Sequence, residues 1–238
     1  MILDILKDSI EYSAQSWKTV LKVGCLIFVS FLFFPIFFVG GYSYRIIHIA
    51  LNGMINGEDP LPEFKNWKKM FIEGIKVFLV KFIYLLPVTI IMILGLIFKI
   101  NFMVLLITSL FTGIILYFFS IMGMVHMVKN KGNLKAAFKL QELFSLIQSI
   151  GWHQYIGFYV GFLAVIIGLL SVALLLSGMI FWICYLIIQA FILDKLFYGN
   201  LVLATGSIIF GMIFVFLFMP YFTIFESRAV GLIYNIQE

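Results

Sequence analysis

The chain has 238 residues, of which 63% are apolar, 11% are charged and 28 are Phe, with a formal net charge of +5. That charge sits on scattered loop lysines, with no basic stripe interleaved with exposed aromatics, so a nucleic-acid-binding role has no support. Between Gln154 and Leu193 there is no Asp, Glu, Lys or Arg at all; a run of that length is comfortable only in hydrocarbon, and its continuous rather than alternating pattern indicates helices, not barrel strands.

Taken in chain order, residues 2–18 predict an amphipathic surface helix, a unit (1–18) distinct from one membrane domain over 19–238. Leu3, Leu6, Ile10, Ala14 and Trp17 recur at helical spacing, with Asp4, Lys7, Asp8, Glu11, Gln15 and Lys18 opposite. Such a helix lies with one face in the headgroups. Its acids, and its lack of a continuous apolar core, argue against a cleavable signal peptide. A first span is expected over 19–42, with Lys22 snorkelling outward and Pro35 kinking the helix. Arg45 and His48 mark its emergence. Pro60 and Pro62 then force an extended or turning segment. Within 57–76, Phe64, Trp67, Phe71 and Ile75 oppose Lys65, Lys68, Lys69, Glu73 and Lys76, which predicts a second surface helix.

A second span follows over 77–98, with Pro87 inside it and Lys81 and Lys99 near its ends. A third covers 102–128, where Thr108, Ser109, Thr112, Gly113 and Ser120 favour close helix contact in lipid. Residues 129–150 predict a third amphipath: Asn133 is a suitable N-cap, Gly151 a suitable stop, and Ala136, Leu140, Leu143, Ile147 and Ile150 share a face. The uncharged run is too long for one span, so a break at Ser177-Gly178 is expected, giving spans over 154–177 and 178–197, the latter crossing or re-entrant. A last span runs over 201–225. The fold class is therefore all-α: a polytopic helical membrane protein with about six spans and amphipathic interfacial helices.

Units 19–98 and 102–177 repeat the order span, basic amphipath, Trp, returning span, with 178–238 following. This predicts an internal repeat, although duplication of a stable hairpin accounts for it equally. The lysines of 43–76 and 129–153 outnumber those elsewhere, which places the two basic amphipaths in the cytoplasm and, with six spans, the termini outside.

Chemical motifs are sparse. No P-loop, dinucleotide fingerprint or nucleophile elbow occurs. No catalytic, cofactor-binding or metal-ligating set is expected: His48, His126 and His153 are isolated, and Cys25 and Cys184 lack metal or disulfide spacing. Gln189 is the deepest clear amide and reads as an interhelical hydrogen bond. A Glu–Arg contact among Glu226, Arg228 and Arg45 is conceivable. Two groups are candidates for function. Lys65, Lys68, Lys69, Lys76, Lys129, Lys131, Lys135 and Lys139 would face anionic headgroups. Arg45, His48, Glu58, Asp59 and Glu63 form a polar cluster in the sequence, with Asp59-Pro60 also reading as turn chemistry.

The stretch around Gly41-Tyr42, Arg45, Gly57, Leu61-Pro62-Glu63, Gly74, Tyr84 and Pro87, together with Gly151-Trp152 and residues 225–234, resembles the domain of unknown function 4013 family of prokaryotic, often archaeal, membrane proteins. The family often has Trp after Pro-Glu where this chain has Phe64. The resemblance implies a polytopic inner-membrane protein and no activity. The leading expectation is a non-enzymatic transport-type or lipid-interacting component of the cell membrane, multi-pass, whose partners are membrane lipids and either a second copy or another membrane complex. A membrane-embedded enzyme acting on lipid or isoprenoid substrates, and an assembly subunit, are the alternatives.

Overall fold

The computed structural model describes residues 1–191 and 195–237, with side chains 188–200, 203 and 237 left aside; Gln189 and Asp194 therefore lie outside what is described. Among the described residues all regular structure is helical, and residues 53–66 form a non-helical linker. Nine α-helices follow in order: α1 Ile2–Ala14, α2 Trp17–Val29, α3 Pro35–Asn52, α4 Trp67–Ile97, α5 Phe102–Lys129, α6 Leu140–Ile150, α7 Trp152–Phe191, α8 Lys195–Ile213 and α9 Met219–Tyr234. A π-helical turn, Phe214–Phe218, joins α8 to α9, and a 3-10 turn, Leu134–Phe138, precedes α6.

Among the described residues four segments are long and apolar enough to cross a membrane: Trp67–Ile97, Phe102–Lys129, Trp152–Ile187 and Ala204–Tyr234. A fifth arises only if the sharply bent pair α1 and α2 is counted as one span. The expected six is corrected at two places. First, no break occurs at Ser177-Gly178, where Ser177 Oγ donates to its own helix at Leu174 O, 2.9 Å away. Neither residue prevents a helix from continuing, so 154–177 and 178–191 form one element, α7. At 1.5 Å per residue, 40 residues reach ~60 Å. Tyr155, Phe158, Tyr159 and Phe162 pack one face of the first turns of α7 into protein, while Ile156 and Val160 on the other face stay exposed.

Second, 19–42 is not a continuous span. α2 ends in a 3-10 turn at Ser30–Leu32, Phe33 takes a left-handed φ of 70°, and Pro35 opens α3. Proline lacks an amide hydrogen and is well placed at a helix start; here it begins a new helix instead of bending an old one. The two arms fold back on one another, with Val20 and Val23 of α2 packing near Tyr42 and Ile46 of α3. Both ends of segment 17–52 return to one place: Tyr12 Oη donates to Pro60 O at 3.3 Å, and Asp8 accepts from the Asn56 amide at 3.2 Å. At the tip, Phe33 packs on Phe78 of α4, from which α4 runs on to Ile97, ~28 Å further along its axis.

The second predicted surface helix is also absorbed. Residues 67–76 form the first turns of α4, continuous with the span. α6, by contrast, is a separate helix that buries Leu143, Leu146, Ile147 and Ile150. α1 packs on α9 and α7 with a face rotated from the expected one: Ile5, Asp8, Ser9 and Tyr12 are buried while Leu3 is 78% exposed. Ser9 and Ser13 return their hydroxyls to the carbonyls of Ile5 and Ser9, both at 2.7 Å, so this polar-looking face enters protein without orphaned groups.

Burial is concentrated at one end of the molecule, called here the base. Ser120 to Val128 of α5 and Ile224 to Tyr234 of α9 are buried without interruption. Beyond the base, α4 pairs with α5 and α7 with α8, and no more than 17% of the most apolar window of any of the four segments is buried. α3 crosses α4 in the base at closest range. A methyl group on Gly41 would collide with the Met70 carbonyl, and one on Gly74 with the Phe37 carbonyl. Such small-residue crossings bring helix backbones together where lipid supplies little driving force.

Candidate functional site

The base contains the polar residues that organise the molecule, and it holds a basic cleft of about 820 Å³. Lys68, Lys69 and Lys76 on α4 form one wall, Lys129 and Lys131 the other, with His48 and Asn52 from the end of α3 between them. Five of the eight predicted lysines are thus brought together from segments far apart in sequence. The other three point elsewhere: Lys65 is paired with Glu63, Lys139 lies 2.6 Å from Glu142, and Lys135 is not among the cleft residues. The far wall is set by the turn after α5. Lys131 and Gly132 are successive left-handed residues, φ 55° and 76°, and Gly132 O accepts from Lys76 Nζ at 2.8 Å. A β-carbon on Gly132 would meet both Lys76 Nζ and Tyr44 Oη at 3.0 Å. Lys129 Nζ stands 5.7 Å over the Tyr234 ring.

The predicted polar cluster does not assemble. Arg45 Nε lies 3.3 Å from Glu73, and its Nη1 donates to the carbonyls of Glu63 and Lys65 at 3.0 and 2.7 Å. It thereby clamps the extended linker onto α3 and α4. Asp59 turns the other way, accepting from Arg228 Nη1 at 2.7 Å. Glu58 borders a separate polar recess beside Glu11 and Gln15, His48 lines the basic cleft, and Glu63 pairs with Lys65. The conceivable Glu226–arginine contact is also not made. Glu226 accepts from Tyr117 Oη at 2.6 Å and lies 3.7 Å from Lys81, so Lys81 is turned to a buried carboxylate rather than simply snorkelling.

Sequence reasoning missed the most buried charge, Arg228, which is fully enclosed. Its guanidinium reaches Asp8 at 3.2 Å, Asp59 at 2.7 Å and Met54 O at 3.3 Å, and its Cζ lies 4.7 Å over the Tyr12 ring. One cation thus ties α1, the 53–66 linker and α9 together. Burial pushes the Tyr12 hydroxyl well above the usual tyrosine range, with Arg228 opposing that shift. A signal was available: Ile5, Asp8, Ser9 and Tyr12 fall at i, i+3, i+4 and i+7, a stripe with small hydroxyls suited to close packing. A last polar group joins α5, α6 and the C-terminus. His126 contacts Tyr234 Oη at 2.8 Å and Glu142 at 3.0 Å. The bond from Lys139, then that from His126, lowers the Glu142 carboxyl below the usual glutamate value. Among the described residues no three His, Cys, Asp or Glu side chains group as metal ligands.

Residues 25–181 match the family described as Protein of unknown function (DUF4013), and the chain belongs to that family. No curated protein and no solved structure matches it. Several residues that carried the resemblance have structural tasks in the base. Gly41 and Gly74 make the α3–α4 crossing, Arg45 clamps the linker, Tyr84 Oη donates to Ala137 O at 2.7 Å, and Phe64 stacks on Tyr42 at 4.7 Å.

Proposed function

We propose, from membership of a family with no assigned activity, that this protein is a non-enzymatic, lipid-interacting component of the cell membrane. It would be multi-pass, with four crossings and its base in the cytoplasmic headgroup layer. The observation that carries the reading is the hairpin of α2 and α3. Its arms open at the lysine-bearing end, and its tip presents Phe31, Phe33 and Phe34 at 78%, 63% and 67% exposure. A segment that enters hydrocarbon and returns engages one leaflet, and aromatic tips with basic flanks suit that placement. The basic side also satisfies the positive-inside tendency, since Lys99 sits at the opposite end.

The clefts along α7 and α8 are lined chiefly by apolar side chains such as Leu176, Ile183 and Phe210, which favours acyl chains over a polar solute. An enzyme using Arg45, His48, Glu58, Asp59 and Glu63 has less support, because Arg45 and Asp59 are engaged in separate ion pairs. The reading is tested in vesicles. With Cys25 and Cys184 replaced, Glu11→Cys, Glu58→Cys and Lys135→Cys should label from one side only. Protein extracted in mild detergent should retain lipid detectable by mass spectrometry. Glu11 and Glu58 labelling from opposite sides, or delipidated protein on extraction, would sink it.

A further inference from the structure

We propose that the cleft between α4 and the turn after α5 binds a phosphate-bearing group carrying two or more negative charges. The inference rests on the base lying at the headgroup layer, and it adds a specific occupant. Five lysines face a single space. Among the lining residues the one carboxylate is Glu73, and it is already held by Arg45 at 3.3 Å; its contact with Lys69 is loose, at 3.8 Å. The ammonium groups of Lys68, Lys69, Lys76 and Lys131 therefore gather around a space whose described carboxylate is already engaged by Arg45, and an anion relieves their mutual repulsion. Two or more charges suit the site, since a phosphate monoanion matches only one of these four ammonium groups.

Size points the same way. A volume of about 820 Å³ equals roughly 27 water volumes at ~30 Å³ each, far more than one phosphate fills. It has room for a diphosphate, or for a phosphate with a polar body. His48 and Asn52 supply hydrogen-bonding groups beside the lysines, as such a body needs. The walls are also set in place. Lys76 is held by Gly132 O, which leaves two of its three N–H donors for a ligand. The left-handed pair Lys131 and Gly132 fixes the opposite turn on Tyr44 and Lys76. A lipid headgroup and a soluble phosphate compound offer the same chemistry.

The test uses the full chain in phosphatidylcholine nanodiscs, with inorganic pyrophosphate as the probe. Lys68→Gln/Lys69→Gln/Lys131→Gln removes three cleft charges, and Lys7→Gln/Lys18→Gln/Lys135→Gln removes three outside it. The cleft triple should weaken pyrophosphate binding by about tenfold or more, and the control by less than about twofold. Phosphatidylglycerol added to the nanodiscs should then compete with the probe if the source is a headgroup; undiminished binding assigns a soluble compound. Equal losses in the two triples would reduce the effect to net charge and overturn the proposal, as would no pyrophosphate binding in nanodiscs of either composition. Because labelling sidedness is read separately, cleft binding that persists when Glu11 and Glu58 label from opposite sides would leave this site standing and remove the reading beneath it.

Discussion

The base and the outer halves of the spans are built by different physics from similar letters. In α5, Met122 and Val125 are fully buried, whereas Ile107 and Phe111, on the same helix, are 63% and 67% exposed. The base is closed by specific partners: Arg228 with two aspartates, Arg45 with linker carbonyls, Tyr84 with Ala137, and glycines that let backbones touch. The outer halves rely on lipid, against which apolar side chains gain little by packing on one another. Hydrophobicity therefore says where a residue avoids water, and the polar residues say where protein rather than lipid replaces it.

That contrast can be broken most strongly at Arg228. Arg228→Ala leaves Asp8 buried without its partner and should destabilise the base by about 3–5 kcal/mol, read as a lowered midpoint in detergent unfolding. Asp8→Asn in the same background should recover part of the loss. At the α3–α4 crossing, Gly74→Leu forces the backbones apart and should cost ~1–3 kcal/mol or more, seen as protease cleavage between residues 53 and 66. In the outer half, Ile107→Ala should stay within about 0.5 kcal/mol in a bilayer; a loss as large as at Gly74 would show that the spans pack on one another after all. The smallest effect concerns pH. Glu142 has its carboxyl lowered in the folded state, so its contribution is present above the ordinary value of 4.5 and disappears as pH falls through the lower folded value. Glu142→Gln should flatten that acid limb of the unfolding midpoint and leave neutral pH almost unchanged.

Much of the helical framework was legible. The third span was expected over 102–128 and α5 runs Phe102–Lys129, while Asn133 and Gly151 cap and stop the elements around α6 as their chemistry suggests. The failures share one cause. Lack of charge reads as contact with lipid on every face, yet Tyr155, Phe158, Tyr159 and Phe162 form a face that packs in the protein interior while Ile156 and Val160 stay exposed. Pro35 announces an interruption without saying whether the chain bends or reverses; that depends on Gly41 and Gly74 bringing α3 onto α4. Of the site, the lysines were visible as types, but their convergence needed the α4–α5 pairing. Arg228 stands out as an ion-pair candidate, but its partners Asp8 and Asp59 were not legible because they lie 220 and 169 residues away.

In the proposed topology segment 17–52 goes in and comes back and adds nothing to the number of crossings. The four membrane-length segments among the described residues would then give an even parity, and the helices α1 and α9 meet through Asp8 and Arg228. One extra crossing anywhere would separate those two side chains by a hydrocarbon thickness of ~30 Å, a distance no rotamer could recover. The ion pair is thus also a register for topology: wherever it forms, a reporter fused to either end of the polypeptide must read the same compartment.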